Sequence, residues 1–164
     1  MQTQKELEEW YAKEDPWEYK TNDDDRRRLK QILFTLGWGP RVYSRALDVG
    51  CGEGFVTTHL PAFEIHGMDI SLTAMSRLPS NVKAVTKPEG KYDLVISTGT
   101  LYKQYDHEFI YKTIMEAASR YILIAGIEEW LVPYDFGRRL YHNAIQYRQQ
   151  YNQLFTLYEL EAGA

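Results

Sequence analysis

An acidic residue and three closely spaced glycines form the stretch of this 164-residue chain that is best suited to chemistry. Asp48 lies near the end of an apolar run, and Gly50, Gly52 and Gly54 follow at once. A helical pattern then begins at Phe55. A strand, a tight glycine-rich turn and a helix start are how α/β proteins bring backbone close to a nucleoside ligand. The stretch therefore predicts a nucleoside site at the carboxyl end of a strand.

The spacing of the glycines argues against a dinucleotide. Dinucleotide-binding turns need G-x-G-x-x-G, in which the third glycine lets the helix pack on the strand. Here the spacing is G-x-G-x-G, and Phe55 occupies the position of that third glycine. Asp48 would also repel a pyrophosphate, whereas it suits a cationic ligand. For this stretch taken alone, an ordinary tight turn is the alternative interpretation.

A second acidic residue strengthens the prediction. Asp69 lies seventeen residues beyond Gly52, within the segment 63–70 that reads as the next strand. At the tip of a neighbouring parallel strand, a carboxylate can accept hydrogen bonds from both ribose hydroxyls of an adenosine. Ile70 would then pack beside the adenine, or serve only as a core residue at the strand end.

The sequence Asp-Val-Gly-Cys-Gly-Glu-Gly at 48–54 resembles the first motif of the class I S-adenosylmethionine (SAM)-dependent methyltransferases, and 67–71 resembles their second motif. The resemblance implies a Rossmann-like α/β fold. Its sheet would be mostly parallel and seven-stranded, or a trimmed version of that, with helices on both faces and a C-terminal antiparallel strand. It implies SAM as cofactor and S-adenosylhomocysteine (SAH) as product. It assigns cofactor contacts to Asp48, Gly50, Cys51, Gly52, Gly54, Asp69 and Ile70.

The segment 92–97 resembles the fourth motif of the same family, whose following loop lies between SAM and the acceptor. By this resemblance Ser97 and Thr98 contact the cofactor. The loop 98–102 lacks the Asn/Asp-Pro-Pro-Tyr/Phe sequence of enzymes that methylate exocyclic amines of DNA bases, which excludes that class. Tyr102 could cover the sulfonium, face the acceptor or simply pack. Trp130 and Tyr134, which follow the fifth predicted strand, are candidate acceptor contacts.

Near the N-terminus, Asp-Pro-Trp-Glu-Tyr at 15–19 followed by Arg28 resembles the small nodulation N-methyltransferases (nodulation protein S-like). Their N-terminal segment folds over bound SAM. The resemblance implies that Trp17 and Arg28 contact the cofactor, with the arginine near its carboxylate, because guanidinium binds carboxylates bidentately. Trp17 could instead only anchor the N-terminal arm. We expect residues 1–164 to form one domain, with 1–40 as a helical cap or lid.

The remaining periodicity predicts the elements that position these residues. We expect helices over 5–13, 22–36, 72–78, 106–119 and 138–145. Beyond the strand at 46–49, we expect strands over 63–70, 81–86, 92–97, 121–127 and 153–160. A further strand at 147–151 would complete an antiparallel hairpin. The connection 88–91 is too short for a helix, so the third crossover helix should be missing or reduced.

Composition limits the partners. The formal net charge is −4, which argues against a nucleic-acid substrate because such proteins usually carry a basic face. No apolar run approaches the roughly 20 residues of a membrane span. With a single cysteine, no internal disulfide can form, so we expect a reducing, cytoplasmic location. The expected partner is a small-molecule acceptor, with no nucleic acid or membrane, and monomer and homodimer are both left open.

The histidines do not pair with acids at the spacing that metal ligands need, so we predict no metal site. An oxygen nucleophile would need a base or a metal, whereas an amine needs only to arrive neutral. This favours N-methylation of a small amine, such as an amino sugar, by proximity and desolvation. Tyr102 and His142 are the only catalytic candidates, and each could instead be structural. The alternatives are a SAM- or SAH-binding module without activity, or a SAM-fold transferase of another group, such as aminopropyl.

Overall fold

A seven-stranded sheet, with the strand order β3-β2-β1-β4-β5-β7-β6, organises the chain. The computed structural model describes residues 2–161, so Met1 and residues 162–164 of the predicted domain lie outside the described residues. The strands are β1 (Tyr43–Val49), β2 (Ala62–Met68), β3 (Lys83–Ala84), β4 (Tyr92–Thr98), β5 (Ala118–Ile127), β6 (Arg138–Tyr147) and β7 (Tyr151–Glu159).

Five of the strands are parallel, and β7 runs antiparallel to both of its neighbours, β5 and β6. The strand order reverses between β1 and β4, since β2 and β3 continue to one side and β5 to the other. Ligands of open α/β sheets bind at such a switch point, outside the carboxyl ends of the strands. The predicted mostly parallel sheet with a C-terminal antiparallel strand is confirmed, and the sheet brings the glycine turn after β1 to this switch point.

Helices cover both faces of the sheet, and side-chain caps fix where they begin. They are α1 (Gln4–Trp10), α2 (Asp23–Leu36), α3 (Leu72–Met75) and α4 (His107–Ala117), with a 3₁₀ turn at Thr57–His59. Asn22 caps α2 through a bond from the Asp24 amide, and Ser71 caps α3 through a bond from the Ala74 amide. α2 packs Ile32 and Leu36 on one face of the sheet, whereas α4 packs Ile114 on the other.

Residues 85–91, which connect β3 to β4, contain no helix, as the shortness of this connection predicts. A buried polar network closes the connection instead. The His66 Nδ1 and the Tyr92 hydroxyl are hydrogen-bonded at 2.7 Å, and the same hydroxyl accepts a bond of 2.9 Å from the Glu89 amide. Among residues 2–161, no helix has the length and apolar character that a membrane crossing would require.

The predicted helix at 138–145 is wrong, because these residues form most of strand β6. Leu140, Tyr141, Ala144 and Ile145 recur at a spacing that also fits a helix face. In the structure this segment pairs with β7 along its length, from Arg138 opposite Glu159 to Tyr147 opposite Tyr151. A two-stranded ladder with a buried partner strand therefore overrides the local helical pattern. The predicted strand at 147–151 is also wrong, because 148–150 form the tight turn between β6, which ends at Tyr147, and β7, which begins at Tyr151. The expected antiparallel hairpin is present, formed by β6 and β7.

Candidate functional site

A cavity of about 1450 Å³ opens above the carboxyl ends of the parallel strands. The glycine turn forms its floor, and the N-terminal segment, the loop after β4 and the β6–β7 turn form its sides. Pockets for a single small molecule usually enclose roughly 300–1,000 Å³. The cavity can therefore hold two small molecules side by side.

The glycine turn can approach its neighbours closely only because these positions lack a Cβ. Gly50 and Gly52 have φ angles of +85° and +55°, in the left-handed region that favours glycine. A Cβ on Gly52 would lie 2.8 Å from the Tyr11 hydroxyl, and one on Gly50 would collide with the Thr100 side chain. The N-terminal segment and the loop after β4 are thus packed directly onto the turn.

Asp48 supplies a buried acceptor below the turn. The residue lies in the lining of the cavity and is only 1 % exposed. Its Oδ2 accepts a hydrogen bond of 2.7 Å from the Thr57 hydroxyl, whereas Oδ1 has no hydrogen-bond partner within residues 2–161. Burial raises the pKa of Asp48 to about 7, although the Thr57 bond lowers it in part. The free oxygen is suited to an ammonium or another N–H donor.

Asp69 lies just after the end of β2, the next strand, and backbone amides fix its carboxylate. The Gly52 amide donates to Oδ2 and the Ser71 amide donates to Oδ1, each at 2.9 Å. Each oxygen keeps a second lone pair that a ligand hydroxyl can use. Burial raises the pKa of this carboxyl as well. Ile70 is 47 % exposed and also lines the cavity, so an apolar surface lies beside the carboxylate.

A buried charge cluster forms another side of the cavity. Asp25, on α2, is fully buried and accepts hydrogen bonds from Arg28 Nε at 3.2 Å, Arg148 Nη2 at 3.2 Å and the Tyr147 hydroxyl at 2.8 Å. The Arg28 guanidinium also lies over the Tyr19 ring, 4.8 Å from its centroid. The two terminal nitrogens of Arg28 make no hydrogen bond to the part of the chain that is described. Two guanidinium groups share one carboxylate, so this side of the cavity favours an anionic ligand group.

The N-terminal segment covers the glycine turn from above. The Trp17 indole donates a hydrogen bond of 3.0 Å to the Tyr11 hydroxyl, the same atom that a Cβ on Gly52 would meet. The Asp15 amide donates to the Glu53 carboxylate at 2.9 Å. Because these bonds link the segment to the turn itself, a ligand on the turn would be enclosed by the segment.

Aromatic side chains form the side of the cavity beyond β4. Tyr102 is buried, accepts a hydrogen bond of 2.9 Å from the Ile127 amide and lies edge-on to Trp130 with centroids 5.6 Å apart. Trp130 in turn packs against Tyr151 at 5.2 Å. Burial raises the pKa of Tyr102, so its hydroxyl stays protonated near neutral pH and is not a base. This side therefore offers flat, apolar surface.

The cavity brings together most of the residues predicted from the sequence, but three of them lie elsewhere. The residues that line it are Trp17, Arg28, Asp48, Gly50, Cys51, Gly52, Gly54, Asp69, Ile70, Thr98, Tyr102 and Trp130. Ser97 is fully buried and bonds the Thr100 hydroxyl. The Tyr134 hydroxyl bonds His107 Nδ1 at 2.8 Å, and its ring stacks on Tyr111, outside the cavity lining. His142 bonds the Thr156 hydroxyl at 2.7 Å on β6, also outside the lining.

Sequence reasoning missed several residues that the structure places in or behind this lining. Tyr11, Tyr147, Arg148 and Gln153 line the cavity, and Asp25 holds two of its arginines. The β6–β7 turn carries Arg148 to the cavity, and this turn was hidden by the wrong strand prediction at 147–151. Only the acid run before Arg28 offered a signal for Asp25, and it reads equally well as a helix start.

Comparisons with known proteins agree with this geometry. A family model described as a methyltransferase domain matches residues 19–162. The N-methyltransferase NodS from Bradyrhizobium japonicum WM9, solved in complex with S-adenosyl-L-homocysteine, is similar in fold, with a TM-score of 0.76 and 17% identity over 95% of this chain and 97% of that one. The magnesium protoporphyrin IX methyltransferase ChlM from Synechocystis PCC 6803, with bound SAM, has a TM-score of 0.74 and 12% identity over 98% of both chains. No curated protein matches.

The strand order, the glycine turn and the two acidic strand ends define a class I methyltransferase fold. The chain belongs to the methyltransferase-domain family. The predictions of this family, of its fold and of a SAM-dependent methyltransferase as the enzyme class are confirmed. The acceptor is a separate question, because the two similar structures are named for different acceptor chemistry.

Proposed function

We propose that this protein methylates a small amine, such as an amino sugar, with SAM as the methyl donor. The observation that carries the proposal is the pair of acids at the switch point. Asp48 has one carboxylate oxygen without a partner in the described residues, and Asp69 on the next strand keeps a lone pair on each oxygen. Together they suit an ammonium group and a ribose.

The lining residues fit the remaining groups of SAM. The free end of the Arg28 guanidinium suits the carboxylate of the methionine part, and Ile70 offers an apolar surface to the adenine. When bound, SAM supplies a methyl group that is already activated on a sulfonium. Decarboxylated SAM would leave Arg28 without a ligand partner, so this cluster supports methyl transfer over aminopropyl transfer.

The chain's own contribution would be alignment and exclusion of water. Tyr102 and Trp130 form an apolar side from which water is displaced, and the cavity has room for an acceptor beside the donor. The Tyr102 hydroxyl, with its raised pKa, would not remove a proton. An amine that arrives neutral needs no such group, which supports a nitrogen acceptor. The name of the similar N-methyltransferase NodS points the same way.

We also propose that residues 1–40 act as a lid within a single domain. The bonds from Trp17 to Tyr11 and from Asp15 to Glu53 support this, because they close the segment over the turn. Monomer, homodimer and cytoplasmic location stay predictions from the sequence.

Calorimetry with SAH tests the donor site. We expect SAH to bind the wild type with a dissociation constant well below about 1 mM and to bind Asp69→Asn at least about tenfold more weakly, since the ribose loses a charged acceptor. Asp23→Asn is the matched control, because Asp23 lies in an exposed ion pair on α2. Equal SAH affinity of the wild type and Asp69→Asn would contradict the assignment of Asp69 to the donor site. No SAH binding by the wild type would overturn the proposal.

Methyl-labelled SAM, incubated with pooled small amines, sugars and phenols, tests the transfer itself. We expect label in the amine fraction, and label in the phenols instead would contradict the nitrogen acceptor. Tight SAH binding without any labelled acceptor would favour a binding module without its own activity.

A further inference from the structure

We infer that Gln153 binds the methyl acceptor, through a hydrogen bond that its side-chain amide oxygen accepts in the part of the cavity away from the glycine turn. This inference rests on the proposed methyl transfer and adds to it the residue that selects and orients the acceptor.

The first observation is an unpaired buried amide. Gln153, on β7, is 2 % exposed and lines the cavity, yet its Oε1 is buried without a hydrogen-bond partner among residues 2–161. Its Nε2 likewise makes no hydrogen bond to the described chain. An unpaired buried polar group destabilises a fold, and most such groups in proteins are paired. The amide is therefore explained better by a ligand than by the fold.

The second observation is that Gln153 interrupts an apolar pattern. Alternate residues of a strand point to the same face, so Gln153, Phe155 and Leu157 share a face of β7. Phe155 and Leu157 are fully buried in the core beneath α2. At position 153 the same face reaches the cavity, and the residue changes from apolar to a hydrogen-bonding one.

The sheet places Gln153 too far from Asp48 for the same ligand group to contact both. β1 and β7 are separated by three strand spacings, or about 14 Å. Along the strands, Asp48 is level with Ile96, Leu123 and Leu157, and Gln153 lies four residues beyond that level, or about 13 Å. Adenosine at Asp69 would extend toward β2, in the opposite direction. Of the donor, only the carboxylate end at Arg28 extends toward β7, and the SAH affinity measured below tests whether it reaches Gln153 in place of the acceptor.

The neighbours of Gln153 describe the acceptor. Gln153 is paired in register with Ile127, whose amide is bonded to Tyr102, and Trp130 packs between Tyr102 and Tyr151 nearby. The acceptor would lay a flat or ring-shaped apolar face on these aromatic side chains and point an N–H or O–H at the amide. An uncharged amide also suits the chemistry, because a carboxylate here would hold an amine in its protonated form, which has no free lone pair.

The test is Gln153→Met, which keeps the length of the side chain and removes its polar atoms. Exposed Gln146, on β6, provides the matched control Gln146→Met. Three quantities are measured for each variant: the Tm without ligand, the dissociation constant of SAH by calorimetry, and kcat/KM for labelled methyl transfer to D-glucosamine as the probe amine.

We expect Gln153→Met to raise the Tm by about 2–4 °C, because an unpaired buried amide is replaced by an apolar group. We expect SAH affinity to stay within about twofold of the wild type and kcat/KM for D-glucosamine to fall about tenfold, as for one lost buried hydrogen bond. Gln146→Met should change none of the three. The combination separates an acceptor-binding role from a structural one, since a structural glutamine would lower the Tm when replaced.

Three results would overturn the inference: a lower Tm for Gln153→Met, a tenfold loss of SAH affinity, which would place the residue at the donor, or an unchanged kcat/KM. The affinity and kcat/KM results require a wild type that binds SAH and methylates D-glucosamine. Failure of the wild type to bind SAH would instead refute the proposed function, so the two failures are distinguishable.

Discussion

Replacement of Asp48 by asparagine should make the unliganded protein more stable at pH 8 than the wild type, although it removes a group of the proposed site. Asp48 is 1 % exposed, and burial raises its pKa to about 7. In the unfolded chain the carboxyl has an ordinary pKa of about 3.9. A difference of about three between the two values corresponds to roughly 4 kcal/mol, which the wild type loses when the buried carboxyl ionises.

The direction of the pH dependence follows from the protons bound in each state. Between about pH 4 and pH 7 the folded Asp48 holds a proton that the unfolded chain has released, so stability falls as the pH rises through this window. Above about pH 7 both states are ionised and the effect is complete. About 3 kcal/mol of the roughly 4 kcal/mol lies between pH 5 and pH 8. Asparagine does not titrate, so the variant lacks this contribution.

Urea denaturation of the wild type and of Asp48→Asn at pH 5 and pH 8 measures the effect. The difference in unfolding free energy between the two proteins should shift by about 3 kcal/mol in favour of the variant on going from pH 5 to pH 8. Other titrating groups are common to both proteins and cancel. SAH affinity should fall about tenfold in the variant, because the ammonium loses a charged acceptor. A difference that does not change with pH, or that shifts toward the wild type, would refute the reasoning.

Three further predictions concern the surroundings of the turn. Gly50→Ala should destabilise the protein by about 1–3 kcal/mol more than Gly90→Ala in urea denaturation, because both positions have positive φ but only Gly50 is crowded; equal losses would contradict this. Asp25→Asn should cost about 3–5 kcal/mol, since it leaves two guanidinium groups near a neutral side chain, and a loss below about 1 kcal/mol would contradict the buried cluster. Tyr11→Phe removes the acceptor of the Trp17 indole bond and should speed SAH release several-fold, as measured by stopped-flow fluorescence. An unchanged release rate would show that this bond does not hold the N-terminal segment over the ligand.

The part of the site that is local in sequence could be predicted well. Asp48, Gly50 and Gly52 are close along the chain. The apolar run before them predicts the strand, the glycines predict the turn, and Asp48 is the acid itself. Asp69 required only one further step, that consecutive parallel strands end at the same edge. The predicted starts of α2 and α3 are also local, because Asn22 and Ser71 cap these helices through bonds from nearby amides.

The parts that depend on contacts distant in sequence could not be predicted. β6 is held as a strand by its pairing with β7, and nothing local distinguishes its apolar spacing from that of a helix. The strand wrongly predicted at 147–151 hid the turn that carries Arg148 to Asp25, a contact across 123 positions of the chain. Tyr134 follows a strand end, as the acceptor contacts should, but the hydrogen bond to His107 holds it over α4. Gln153 differs from a surface glutamine only by what surrounds it.

The order of the strands also determines where this fold is exposed to aggregation. A sheet that is open at its edges presents unpaired backbone groups there, which can template pairing with another chain. One edge is β3, whose two residues are too few to template a ladder, and the other is β6, which is ten residues long. On β6 the register shifts between Arg139 and Tyr141, and Arg138 and Arg139 place adjacent positive charges there. A kinked and charged strand is a poor template for pairing with another chain. The longer edge of the sheet is therefore protected against edge-to-edge aggregation.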